Sequence, residues 1–284
     1  MDAAALPAEE VLTSADGVSI VARHFRPADP PWAAVLIAPA MGMVARHYEA
    51  FAVWLAAQGA AVLSFDYRGM GASRFGRPLR GFAADLDLWR IDQDAALNAL
   101  ADRHPGLPVL LLGHSLGAQQ AAALPSAARL SGLLGVSMGS GYLGDLRADF
   151  RPRSRLFLYG IGPLAMWVCG YFPGERLRIV GDVPLGAMRQ WRRWCLTPGY
   201  LLDAEQRRPL YRAARFPVIS LKMSDDEMLA ESGFRMLFEA HGNPRRFAEL
   251  PPAPGEHVGH TGIFRSRHRD TQWPHLLAAL KELT

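Results

Sequence analysis

Lysine is almost missing from this 284-residue sequence: Lys222 and Lys281 are the only two. The net charge is still +4, because arginine carries nearly all the positive charge. The arginines are scattered through 151–215 and 245–269 rather than forming a basic stripe interleaved with aromatics, which argues against a nucleic-acid-binding surface. Cysteine is equally scarce. Cys169 and Cys195 stand alone, with none of the paired spacings of a zinc site, and are read as two buried free thiols in a reducing compartment. The first thirteen residues carry Asp2, Glu9 and Glu10 and no basic residue, so the positive start of a secretory signal is missing and a cytoplasmic location is expected. Long apolar runs are also lacking. The strongest, Leu156–Phe172, is shorter than the ~20 residues of a spanning helix and is interrupted by Gly160, Gly162 and Pro163. It is read as a buried or substrate-facing element rather than a membrane anchor. There is no internal repeat and no low-complexity tract.

What is present is a rhythm. A hairpin is expected at 11–25, turning at Ala15-Asp16-Gly17. Short apolar runs suited to buried strands follow at 33–38, 60–65, 108–112, 132–138, 217–222 and 246–250. Helical periodicity lies between them at 48–58, 82–103, 117–128 and 231–240, and again at 273–283. Strands alternating with helices predict an α/β fold whose mostly parallel sheet is covered on both faces. Residues 142–210 break the rhythm with Arg, aromatics, Gly and Pro. They predict a helical lid inserted into a core domain made of 1–141 and 211–284. Trp167, Trp191 and Trp194 in that insertion are read first as packing residues and second as a substrate wall.

The decisive motif is Gly113-His114-Ser115-Leu116-Gly117, set between a buried strand and a helix. A G-x-S-x-G bend in that context lifts the serine hydroxyl above the strand's carboxyl end, and only glycine fits beside so sharp a turn. A serine attacks only when a base takes its proton, and the base needs a carboxylate to orient it. In the order serine, acid, histidine, the acid is sought after the fifth core strand, in Ser224-Asp225-Asp226-Glu227. Asp226 is preferred and Asp225 is the alternative. The base is sought in Glu256-His257-Val258-Gly259-His260-Thr261-Gly262, where His260, between two glycines, is preferred over His257. His268 and His275 are read as surface residues, and His114 as a structural part of the bend. An oxyanion would be held by the backbone N–H of Leu116 and by one from Pro39-Ala40-Met41-Gly42-Met43, with Met41 first and Ala40 next.

These segments, with Phe65-Asp66-Tyr67-Arg68-Gly69-Met70-Gly71-Ala72-Ser73, resemble the α/β-hydrolase superfamily, whose members carry a D-x-R-G-x-G-x-S segment. Ala38–Gly42, Gln190–Cys195 and Gly259–Arg265 are similar to a branch of largely uncharacterised bacterial predicted serine hydrolases. The resemblance spans most of the chain. It implies a Ser115–Asp226–His260 triad and an acyl-enzyme intermediate, with no metal or cofactor and a small-molecule acyl substrate. The chain departs from the family at Pro39-Ala40 in place of His-Gly, at Ala118 in place of the second glycine after the elbow, and at Ala230 in place of a proline. An esterase-like hydrolase of partly hydrophobic substrates is the expected activity. An acyltransferase using the same site and a non-catalytic binding protein are the alternatives. A haloalkane dehalogenase is disfavoured, because that chemistry needs an aspartate where Ser115 stands. The oligomeric state stays open.

Overall fold

The structure is a computed structural model that describes residues 7–284; residues 1–6, part of the N-terminal stretch read above, lie outside it. The chain enters through a hairpin of β1 (Ala8–Thr13) and β2 (Ser19–Phe25), in which Thr13 faces Ser19. Six more strands follow: β3 (Ala34–Ala38), β4 (Ala61–Phe65), β5 (Val109–His114), β6 (Gly132–Val136), β7 (Val218–Met223) and β8 (Pro244–Leu250). They form one sheet in the order β1-β2-β4-β3-β5-β6-β7-β8. Only β2 runs against its neighbours; every pairing from β4 to β8 is parallel.

Each residue of β3, β4, β5 and β6 is buried, which is why these strands read as unbroken apolar runs rather than alternating ones. The alternation survives in which face a residue serves. Leu36, Leu63 and Leu111 pack with Leu86, Trp89 and Leu97 on one side. Val35, Val62 and Leu110 pack with Phe51, Leu55 and Leu276 on the other. The helices α1 (Glu49–Ala57), α2 (Leu86–Arg103) and α3 (Leu116–Gln119) follow β3, β4 and β5 in turn. Helix α2 starts four residues later than its periodicity suggests, because the Asp85 carboxylate accepts the Leu88 N–H at 2.8 Å and caps it there.

The helix expected over 117–128 is corrected. Helix α3 stops at Gln119 and is followed by two short tight turns, Ala121–Ala123 and Ala127–Arg129. Pro125 explains the break: its ring drives the preceding residue out of helical space, and Leu124 sits extended at φ −62°, ψ 135°.

Between β6 and β7 the chain is helical: α4 (Arg151–Leu156), α5 (Gly162–Cys169), α6 (Gly174–Leu177), α7 (Leu185–Leu196), α8 (Tyr200–Ala204) and α9 (Arg208–Ala213). A π-turn, Phe157–Ile161, joins α4 to α5 without a break. Of the two expectations for Leu156–Phe172, a buried or a substrate-facing element, burial holds for only part of the stretch. Leu158, Met166 and Phe172 are buried, but Leu156, Tyr159, Leu164 and Trp167 are exposed, Trp167 to 80%. Only one face of the α4–α5 helix touches protein. Of the three tryptophans read as packing residues, Trp194 alone is fully buried. Cys169 is half-buried rather than buried, Cys195 is buried, and both are free. Helices α10 (Glu231–Ala240) and α11 (Trp273–Glu282) complete the layers after β7 and β8. Among the described residues no helix is long and apolar enough to cross a membrane.

Candidate active site

Ser115 follows the last residue of β5 and adopts φ 48°, ψ −111°. A non-glycine residue held there costs about 1–3 kcal/mol and persists only where its surroundings enforce it. The enforcement is visible. Ser115 donates its N–H to the Val136 carbonyl at 2.8 Å, while its own carbonyl accepts from Ala118 at 3.1 Å and Gln119 at 3.2 Å. A Cβ on Gly113 would collide with the Ala118 backbone nitrogen, and one on Gly117 with the Ala38 carbonyl oxygen. Both glycines of the motif are therefore steric necessities, because bend, helix and neighbouring strand meet there backbone to backbone.

The three consecutive acids after β7 do three different jobs. Asp226 is buried, and its Oδ2 accepts from His260 Nδ1 at 2.6 Å. Its Oδ1 accepts the N–H groups of Met228 at 2.9 Å and Leu229 at 3.1 Å. Asp225 does not reach the His260 ring. It accepts the N–H groups of Val258 and Gly259 at 2.8 and 3.0 Å, and lies 2.8 Å from His257 Nδ1. Glu227 accepts the His260 N–H at 3.1 Å. One carboxylate thus orients the ring while its neighbours pin the backbone that carries it. The loop read as a source of one acid supplies three, and no spacing signal in the sequence distinguishes their roles.

His260 Nε2 lies 3.3 Å from Ser115 Oγ. With Nδ1–H donated to Asp226, Nε2 is left as the acceptor for the serine hydroxyl. Burial works against the charged imidazole, but the Asp226 carboxylate outweighs it and holds the His260 pKa above its ordinary value. Burial likewise raises the Asp226 carboxyl while the His260 ring lowers it, and the net shift is downward. The ring of His257 is 71% exposed and pairs with Asp225 instead. His268 is corrected from surface to fully buried, with Nδ1 3.0 Å from a Glu256 carboxylate oxygen.

The oxyanion candidates separate on a contact that sequence reasoning missed. The Ala40 N–H is taken: it donates to Tyr48 Oη at 2.9 Å. The Met41 and Leu116 N–H groups donate to no acceptor among the described residues, and both residues line the same cavity as Ser115. Leu116 opens α3, where an N–H has no partner within the helix and the helix dipole favours negative charge.

Tyr48 belongs to a longer chain of bonds. The His260 carbonyl can only accept, so the His114 Nε2 lying 3.1 Å away carries the proton. His114 Nδ1 is then the acceptor, and Tyr48 Oη–H donates to it at 2.8 Å. Burial, and next the nearby His260, push the His114 pKa down to about 3, so the ring stays neutral and this tautomer is fixed. A single directional relay runs from the Ala40 N–H through Tyr48 and His114 to the backbone of His260. No local sequence signal marks Tyr48, because the relay exists only where the ends of β3 and β5 and the histidine loop converge.

The Asp66–Ser73 segment braces this rim from below. Asp66 accepts the N–H groups of Ala45 at 2.6 Å and Ala72 at 3.0 Å. Buried Arg68 bonds Asp92 at 2.6 Å and Asp16 at 2.5 Å. A cavity of about 400 Å³ opens over Ser115. Its walls are mostly apolar, including Phe157, Phe172, Met188 and Trp191 from the helical segment. No group of three or more His, Cys, Asp or Glu side chains among the described residues is arranged to hold a metal.

The whole fold overlays solved structures. A soluble variant of monoglyceride lipase from Saccharomyces cerevisiae, in complex with a substrate analog, matches with a TM-score of 0.72, covering 98% of this chain and 95% of that one at 16% identity. The chain has the α/β-hydrolase fold. A highly thermostable carboxyl esterase from Bacillus coagulans, in complex with glycerol, overlays the chain with a TM-score of 0.67 at 15% identity, covering 98% and 99% of the two chains. A family model described as serine aminopeptidase, S33, matches residues 29–141, which hold β3 to β6 and the Ser115 elbow. Over 106 residues the chain is 31% identical to the monoglyceride lipase of Homo sapiens, covering 37% of this chain and 34% of that relative. The match thus spans about a third of the curated relative's length.

Proposed function

We propose that this protein is a serine hydrolase that cleaves carboxylic esters of small to medium, partly hydrophobic substrates through an acyl-enzyme intermediate. The observation that carries the reading is the Ser115–His260–Asp226 hydrogen-bonded line, ending at a strained elbow beside two uncommitted backbone N–H groups. His260 Nε2 takes the Ser115 proton as Oγ attacks the carbonyl carbon. Asp226 holds the ring's tautomer and stabilises its charged form. The N–H groups of Met41 and Leu116 bind the oxygen as it becomes negative. His260 then gives its proton to the leaving alcohol, and water, activated the same way, releases the acid.

The helical segment 142–210 acts as a lid: it contributes Phe157, Phe172, Val180, Met188, Trp191 and Tyr200 to the wall above Ser115. The similarity to monoglyceride lipases and to a carboxyl esterase supports ester rather than amide substrates. An apolar cavity of about 400 Å³ favours acyl chains longer than acetyl.

A fluorophosphonate probe tests the nucleophile. It is expected to label the wild type and not Ser115→Ala, and equal labelling of the two would refute the assignment. A p-nitrophenyl ester series from acetate to decanoate tests the substrate class. A maximum between butyrate and octanoate is expected, whereas activity confined to acetate would rule out the lid-walled cavity as the acyl site.

The relay through Tyr48 gives a smaller effect. Tyr48→Phe removes the acceptor of the Ala40 N–H and the donor to His114. A loss in kcat of roughly threefold to tenfold is expected, with KM unchanged and probe labelling slowed but retained. No change in kcat would show that the relay does not position the oxyanion loop.

A further inference from the structure

Of the eleven large apolar side chains that are exposed among the described residues, eight fall between 156 and 179. Leu156, Tyr159, Leu164 and Trp167 stand on the outer face of the α4–α5 helix. Leu177 and Ile179, in and just after α6, are exposed as well, and Ile179 lines the cavity together with Phe157 of the π-turn. An exposed apolar patch concentrated on one element marks a surface that meets something apolar. Its flanks say what. Arg153, Arg155, Arg176, Arg178 and Arg189 are exposed and form no ion pair or side-chain hydrogen bond with any described residue. Residues 151–193 hold eight arginines against two acids, Glu175 and Asp182.

We propose that this face docks on an anionic phospholipid surface. An apolar helix face buried to the depth of the acyl boundary, with cations at headgroup level, is the arrangement that binds such surfaces without crossing them. A second copy of the chain fits less well, because self-pairing would bring the unpaired arginines of both copies together with only Glu175 and Asp182 of each to offset them. Ile179 is exposed and also lines the cavity over Ser115, so docking through this segment would bring the cavity close to the lipid. That last consequence alone rests on the hydrolase reading; the docking does not.

Flotation of the full chain with vesicles tests the docking. The vesicles are phosphatidylcholine alone, or phosphatidylcholine with about 30 mol % phosphatidylglycerol. Wild type and Ser115→Ala are expected to float equally with the phosphatidylglycerol vesicles, less so as salt rises, and hardly at all with phosphatidylcholine alone. Leu164→Ser with Trp167→Ser is expected to weaken binding at least about tenfold. Arg153→Gln with Arg178→Gln is expected to weaken it by roughly fivefold per arginine removed. Both double variants should keep wild-type turnover of a soluble short-chain ester. Should the serine pair prevent folding, the arginine pair and the salt dependence of the wild type carry the test. Failure of the wild type to float, or equal flotation of the arginine pair, overturns the proposal. So does a stable dimer by light scattering that Trp167→Ser dissociates, because the face is then a contact between copies. Ester activity lost while flotation survives in Ser115→Ala supports both inferences; flotation lost while labelling survives in the wild type would sink only this one.

Discussion

Ser115→Ala and His260→Ala are each expected to lower kcat for ester hydrolysis by roughly 10⁶-fold, and the double variant no further. The reason is that the two side chains act as one unit. Without the His260 ring 3.3 Å away, Ser115 Oγ keeps its proton at neutral pH and is a poor nucleophile. Without Ser115 the ring has no hydroxyl to activate. What the proposed site would retain is stabilisation by the Met41 and Leu116 N–H groups and by binding, worth about 10³- to 10⁴-fold over water. Single-turnover and steady-state rates for the three variants check this. Additive losses, with the double variant far below either single one, would mean that the two groups act in separate steps. His257→Ala, by contrast, is expected to stay near wild type, since that ring faces solvent and pairs with Asp225.

The second large effect is at Asp226. Asp226→Asn is expected to lower kcat about 10⁴-fold, because an amide in place of Oδ2 lets the His260 ring settle in the wrong tautomer, with its proton on Nε2 facing Ser115. It also changes the pH profile, in a direction the structure sets. The base must be neutral to work, so kcat/KM falls as His260 is protonated. Burial alone would move that midpoint below the usual imidazole value of 6.5, but the Asp226 carboxylate moves it above. Removing the carboxylate's charge leaves burial opposed only by the weaker pull of Glu227, so in Asp226→Asn the acid limb should shift to lower pH than in the wild type. A shift to higher pH, or none, would show that another carboxylate holds the ring. Asp225→Asn distinguishes the neighbour. It weakens the hold on the Val258 and Gly259 N–H groups, so a modest loss of kcat without a shift of the acid limb is expected.

Features written into short stretches of sequence were readable. The strands β3 to β6 announce themselves because burial on both faces leaves no room for polar alternation. Ser115 stands out because a strained bend demands glycines at fixed offsets, and Gly113 and Gly117 have no other reason to be there. Asp226 and His260 were only half legible. Chain order narrowed the choice to two acids and two histidines, but the final selection depends on which side chain points at a group 145 residues away. Leu156–Phe172 is half legible on the same ground: Phe157 and Phe172 face the cavity, while Leu156, Tyr159, Leu164 and Trp167 stay in solvent. Apolar composition states that a side chain gains from leaving water, not that this molecule supplies the cover.

The sequence alone determined the alternation of elements, the strained bend at Ser115 and the loops that carry Asp226 and His260, because backbone sterics and apolar periodicity act over a few residues. Tertiary structure alone decided that Asp226 rather than Asp225 meets His260, that Tyr48 claims the Ala40 N–H and leaves Met41 free, and that the α4–α5 helix keeps an apolar face in solvent. Each of those depends on where distant segments come to rest against one another. Hydrogen bonds fail within an ångström of their optimum, so such choices exist only in three dimensions.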